Sequence, residues 1–306
     1  MNWLRIFAGP LLAFIFLLSF TYVINGARIV FNNYSDGSLL LGSVSDGLKN
    51  TVEAKTEESQ IEDIVLPSVD AKSAISVESD LRGLNKVIFS KDAATILPIA
   101  SLTKLMTAMV VLDNYRLSDI VTVSKDADSQ VPMKEDVKFG DTMPVENFLD
   151  VMLVGSSNRS AYTLSEGPGG YLGMKKFVEL MNIKARNLGL ANTSFVEPTG
   201  LSPNNKSTAS DLEKLAETIL KDYPKIANIT KEKQFYVPGF GNVSNTDQLL
   251  AELPDAICSK TGFTTAAKGC LLLVVNNQKN NDYIINVVLG ADDRFAEMKK
   301  IINFCQ

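Results

Sequence analysis

Three short strings carry residue types suited to acyl transfer and follow one another along the chain: Ser101-Leu102-Thr103-Lys104, Ser156-Ser157-Asn158 and Lys260-Thr261-Gly262. A serine hydroxyl is a weak nucleophile at neutral pH and needs a base within hydrogen-bond reach. The sequence holds no histidine, which excludes Ser-His-Asp and Cys-His mechanisms and leaves lysine as the base. Ser101 and Lys104, three positions apart, share one face of a helix. At a helix start the hydroxyl also meets the positive end of the macrodipole. Lys104 must shed its proton to act, which burial and a second cation, Lys260, would both favour. Ser101 is thus the candidate nucleophile and Lys104 its base. Taken alone, each string also fits a bland reading: a serine cap with a solvated lysine, a polar loop, a strand tripeptide. The order of the three, their spacing and their context favour catalysis.

The remaining polar groups have natural parts in the same chemistry. Ser156 and Asn158 on an extended loop could both point into one cleft. Ser156 would relay a proton between Lys104, Lys260 and a leaving amine, and Asn158 would offer a donor and an acceptor to a peptide-like substrate. Lys260 and Thr261 on a strand would bind a carboxylate, one by charge and one by its hydroxyl. Gly262 would let the substrate lie close to that strand. The backbone N–H groups of Ser101 and Phe263 would form an oxyanion hole, with no role for the Phe263 side chain. Arg294 could add a second charge at the same sheet edge. Its alternative is a solvated arginine pairing with Asp292 or Asp293.

Periodicity supplies the elements that must position these groups. Short apolar strands at Ala74–Val77 and Val87–Phe89 read as a hairpin, and Leu102, Leu105, Met106, Met109, Val110 and Leu112 give a helix over 101–115. Further helices are expected over 145–154, 174–188 (closed by Gly189), 208–220 and 295–304. Strands are expected over 256–263, 269–276 and 283–289. Strands at both ends around a helical middle imply an α+β fold, a mainly antiparallel sheet flanked by helices with a helical lobe. A net charge of −5 without a basic stripe argues against nucleic acid as a partner. The three cysteines, Cys258, Cys270 and Cys305, lack metal-site spacing, so no metal is expected. A Cys258–Cys270 disulfide is conceivable on neighbouring strands, but small buried apolar residues are the preferred reading.

The N-terminal region reads differently. Residues 6 to 24 carry no charge, and at about 1.5 Å per residue they would span a bilayer core of about 30 Å. Arg5 precedes them, so the rest of the chain is expected outside the cytoplasm. A cleaved signal peptide is the competing reading, and both export the protein. Residues 1–30 are therefore expected to be a membrane anchor or uncleaved signal, residues 31–67 a polar flexible linker, and residues 68–306 the catalytic domain.

From about residue 70 onward the chain resembles the low-molecular-weight penicillin-binding proteins, serine-type D-alanyl-D-alanine carboxypeptidases. The likeness rests on Pro98-Ile99-Ala100-Ser101-Leu102-Thr103-Lys104-Leu105-Met106-Thr107 and on Phe177-Val178 with Met181-Asn182. It extends to Thr193-Ser194-Phe195, Pro198-Thr199-Gly200-Leu201 and Lys260-Thr261-Gly262-Phe263-Thr264. The resemblance implies that Ser101 is acylated, that Lys104 is the base, and that Ser156, Asn158 and Lys260 complete the polar shell. It implies removal of the terminal D-alanine of peptidoglycan stem peptides, without metal or cofactor, and β-lactams as covalent inhibitors. Arg159-Ser160 departs from the family's usual Asp-Ala and is expected to change the charge at the cleft rim. Asp247 stands where asparagine is common, and Lys268 lengthens a turn. A D-alanyl endopeptidase acting on cross-links would use the same site. A class A-like β-lactamase would need a water-activating glutamate, for which Glu197 is the candidate, although Leu201 occupies the place of that motif's asparagine.

Overall fold

The computed structural model describes residues 66–305 apart from 278 and 281, together with the backbone of two short strands, Thr21–Ile24 and Ala27–Val30. Those two strands pair antiparallel. The expected membrane helix therefore ends differently at Thr21–Ile24, where β-branched and aromatic residues favour extended backbone. Its residues 6–20 and nearly all of the expected linker lie outside the described residues. Among the described residues no helix is long and apolar enough to cross a membrane.

The described residues from 66 onward form one compact unit built on a five-stranded antiparallel sheet. Its strands are β1 (Ser73–Ser79), β2 (Asn85–Lys91), β3 (Ala256–Thr264), β4 (Lys268–Asn276) and β5 (Tyr283–Ala291), in the spatial order β3-β4-β5-β1-β2. The chain's last strands thus insert beside its first, and β3 becomes an edge.

Alternation along β4 divides the core in two. Leu272 and Val274 face one apolar cluster, while Leu271, Leu273 and Val275 face the other. The second cluster is closed by Met298, Ile301 and Ile302 of the last helix, Arg294–Cys305. The first, larger cluster receives the helical lobe: α1 (Thr103–Asn114), α2 (Val145–Val154), α3 (Asn158–Glu166) and α4 (Gly173–Asn187). Helix α5 (Ala209–Asp222) brings Leu212, Leu215, Ala216 and Ile219 to the same cluster, and α6 (Pro224–Thr230) and α7 (Arg294–Cys305) complete the set used below.

Helix α1 is buried from Thr103 to Val111, so it runs through the interior rather than along a surface. Burying each Leu or Met of that helix is worth roughly 1.5–3 kcal/mol. That burial fixes the helix whose first turn carries Lys104 and which follows directly on the turn that carries Ser101. The structure also holds elements that periodicity did not reveal: α3 in place of a plain loop after Ser156, α6, and a hairpin of Gln234–Val237 with Gly241–Ser244.

Candidate active site

The nucleophile turn is a short 3₁₀ segment, Ala100–Leu102, running directly into α1. Ala100 adopts a left-handed conformation at φ 47°, a region that a side-chain-bearing residue enters only under constraint. Two glycines supply the constraint. A Cβ on Gly200 would fall 2.0 Å from the Ala100 carbonyl oxygen, and one on Gly262 would fall 3.0 Å from both the Ala100 Cβ and the Ser101 nitrogen. Gly262 therefore turns its open face to the nucleophile turn. Its expected part in substrate approach gives way to close packing between β3 and that turn.

Lys104 lies one helical turn beyond Ser101 and is fully buried. Its Nζ is 2.9 Å from Ser101 Oγ, 2.8 Å from Asn158 Oδ1 and 2.6 Å from the Thr199 carbonyl. A neutral amine has two N–H donors and one lone pair. Donating to Asn158 and Thr199 leaves that lone pair to accept from the Ser101 hydroxyl. Burial pushes the Lys104 pKa down to about 7, against the opposing pull of Glu197 and Asp136. The repulsion between the two lysines registers on Lys260 instead. Its pKa lies well below the usual value through burial first, then the Lys104 and Arg294 charges.

Asn158 is the first residue of α3, because Ser157 caps that helix by accepting from Ser160 N at 2.8 Å. The Asn158 Nδ2 donates to the Val131 carbonyl at 2.8 Å. With its oxygen on Lys104, this side chain is a brace for the base more than a free pair of groups for substrate. Ser157 Oγ donates to Asp136, whose carboxylate also accepts from Met133 N and Val137 N. Ser156 sits just before the cap in a left-handed conformation, φ 61°, and its Oγ accepts from Lys260 Nζ at 3.0 Å. Lys260 Nζ also donates to the Thr261 carbonyl at 3.1 Å. Thr261 Oγ1 shares a 2.5 Å hydrogen bond with Thr246 Oγ1.

Several residues differ from expectation. Arg159 pairs with Asp128 at 2.8 Å and donates to the Val137 carbonyl at 3.0 Å. Its charge is thus matched, and it staples the segment that supplies Val131 and Asp136, so it adds little free charge at the cleft rim. Glu197 spends its carboxylate on its own loop, accepting from Thr199 N at 2.6 Å, Gly200 N at 2.7 Å and Asn205 Nδ2 at 2.9 Å. It holds the Thr199 carbonyl against Lys104 and is not free to activate water, which removes the feature a β-lactamase reading needed. Cys258 and Cys270 are buried free thiols, so no disulfide joins them.

Arg294, the first residue of α7, pairs with neither neighbouring aspartate. Asp292 pairs with Lys268 at 3.0 Å, and Asp293 accepts from Phe295 N and Ala296 N at the helix start. The Arg294 Nε is buried without a hydrogen-bond partner. Burial lowers the guanidinium's pKa, and its charge reaches both Lys260 and Asp247. Phe263 presents an exposed ring. Sequence reasoning assigned no role to Thr199, Asn205, Asp136 or Thr246. The first acts through a backbone carbonyl, which no side-chain pattern reveals.

A buried lysine against a serine hydroxyl, a second buried lysine on an edge strand, and an α+β sandwich are the arrangement that a serine acyl-transfer enzyme with a lysine base requires. A family model described as D-alanyl-D-alanine carboxypeptidase matches residues 56–293. The chain belongs to that family of serine-type peptidases. It is 36% identical over 247 residues, 77% of each chain, to a D-alanyl-D-alanine endopeptidase of Escherichia coli K12. It is 32% identical over 248 residues, 77% of this chain and 62% of the other, to a D-alanyl-D-alanine carboxypeptidase of Bacillus subtilis 168. The crystal structure of a D-alanyl-D-alanine carboxypeptidase from Mycobacterium tuberculosis H37Rv superposes with a TM-score of 0.70 at 27% identity, covering 80% of this chain and 94% of that one.

Proposed function

We propose that this serine peptidase removes the terminal D-alanine of peptidoglycan stem peptides through an acyl-enzyme on Ser101. The carrying observation is Lys104 Nζ, buried, 2.9 Å from Ser101 Oγ, with a pKa near 7. At neutral pH a large share of Lys104 is unprotonated. Its lone pair takes the Ser101 proton as Oγ attacks the penultimate carbonyl carbon. The developing oxyanion is stabilised by the N–H groups of Ser101 and Phe263, which flank the close contact at Gly262. The C–N bond then breaks, and the proton held by Lys104 passes through Ser156, which Lys260 orients at 3.0 Å, to the leaving amine, returning Lys104 to its neutral form. Water attacks the ester and gives a proton to Lys104, which passes it to Ser101 Oγ as the ester C–O bond breaks.

Carboxypeptidase action on a free terminus requires a cationic seat for the leaving residue's carboxylate. Lys260, Thr261 and Arg294, with its orphaned buried Nε, are suited to that seat. Endopeptidase action on a cross-link would not need it. β-Lactams, which carry a carboxylate beside an acylating carbonyl, should trap the same serine. The uncharged stretch that begins at residue 6 and the preceding Arg5 favour an N-terminal anchor with the catalytic domain outside the cytoplasm, joined by the polar linker. Incubation with a stem pentapeptide beside a cross-linked muropeptide dimer, with products separated by mass, tests the substrate assignment. Release of D-alanine from the pentapeptide, weakened in Arg294→Ala, is the expected result. Cleavage of the dimer alone would refute it.

A further inference from the structure

At the opposite end of α3 from Asn158, about 12 Å along the helix at 1.5 Å per residue, lies a recess of about 390 Å³. Its walls include Ile120, Val121, Ser124, Thr163, Glu166 and Gly167. That volume is within the range of small-molecule sites. None of these residues takes part in the chemistry at Ser101.

Four observations give the recess a sign. Glu166 is partly buried and accepts from Ser124 Oγ at 3.0 Å, and among the described residues no cation pairs with it. Burial raises its pKa, and the neighbouring Asp126, another anion, adds to the effect. Thr163, 1% exposed, has a hydroxyl with no hydrogen-bond partner. The Tyr115 hydroxyl is likewise unpartnered, and it abuts Gly167, where a Cβ would fall 2.8 Å from it. Finally, α3 ends at Glu166, which places the negative end of the helix macrodipole in the recess.

An anion would be repelled by this set. A divalent metal ion would find too few ligands, since no group of three or more His, Cys, Asp or Glu side chains suitable for one occurs among the described residues. The exposed side chain of Ile120 suits a methylene chain. We propose that this recess is a binding site for an aliphatic primary ammonium, held by Glu166 and Thr163 with its stem on Ile120. Two sources carry that group: a free alkylamine and the side chain of a diamino acid within a peptide.

The test uses the full chain, labelled with ¹⁵N, and follows the amides of Gly167, Gly169 and Gly170. Nα-acetyl-lysine amide is titrated beside Nα-acetyl-norleucine amide, which lacks the ammonium, and beside butylammonium. Saturable shifts with the lysine compound and none with the norleucine compound are expected. Equal affinity for butylammonium would assign the site to free amines, and weaker binding would assign it to a peptide. Glu166→Gln should weaken binding at least tenfold and Thr163→Val severalfold, with the rate of penicillin acylation unchanged in both. Equal shifts with norleucine amide, no saturation, or undiminished affinity in both variants would overturn the proposal. Penicillin acylation reports on Ser101 alone, so a failure there would count against the proposed function and leave this site standing.

Discussion

At the scale of single residues the enzyme works against its own stability. Lys104 has a native pKa of about 7 against an ordinary 10.5. The unfolded chain therefore binds more protons than the native one between about pH 7 and 10.5. The penalty is fully present below that window and fades as pH rises through it. At 1.36 kcal/mol per unit it amounts to about 4–5 kcal/mol at its largest. Lys104→Met should slow acylation by about 10²–10⁴-fold, yet raise the neutral-pH stability by about 1–3 kcal/mol after the lost bonds to Asn158 and Thr199 are counted. Thermal unfolding at pH 7 and pH 10 checks this, and a less stable variant at pH 7 would contradict it. Asp247 offers a second test. Its buried carboxylate accepts from Ser259 Oγ and Leu249 N and raises the pKa of Lys260. Asp247→Asn should lower the pKa of Lys260 further and shift its titration in the kcat/KM profile for a stem pentapeptide to lower pH, and an unshifted profile would contradict this. At this scale the sequence was most readable, because Ser101 and Lys104 sit at a fixed helical spacing. The partners that restrain Lys104 from afar, Asn158 Oδ1 and the Thr199 carbonyl, depend on tertiary contacts that spacing cannot encode.

At the scale of elements, glycines set where the catalytic pieces can meet. Gly200 holds φ at +88° and lies against the Ala100 carbonyl, so Gly200→Ala meets both backbone strain and a clash. A loss of roughly 2–4 kcal/mol and severely slowed acylation are expected, measured by denaturant unfolding and by intact mass with benzylpenicillin. Gly262→Ala, with its nearest atoms at 3.0 Å and no positive φ, should lose less stability while still disturbing Ser101. Near-equal costs would contradict this ordering. Long periodic helices and apolar strands were legible within a few residues of their observed bounds. Helix α3 was not, because its first turn is marked by a serine cap and by Asn158, polar residues that read equally well as loop. The Gln234–Val237 hairpin was hidden for a similar reason, since its apolar runs are only a few residues long.

At the scale of the whole molecule, the site lies where the sheet edge meets the helical lobe. Ser101 and Lys104 come from the lobe, and Lys260 and Thr261 from edge strand β3, more than 150 positions later. The layers were legible as strands at both chain ends around a helical middle. The order β3-β4-β5-β1-β2 was not, since it depends on which strands bury one another. The central claim, that Ser101 is acylated with Lys104 as its base, is tested most directly by intact-mass measurement of penicillin acylation across pH 5.5 to 9. The acylation rate should rise through about pH 7 as Lys104 loses its proton. It should fall by about 10²–10⁴-fold in Lys104→Ala and vanish in Ser101→Ala. An adduct that persists in Ser101→Ala, or a rate indifferent to pH across that range, would contradict the account.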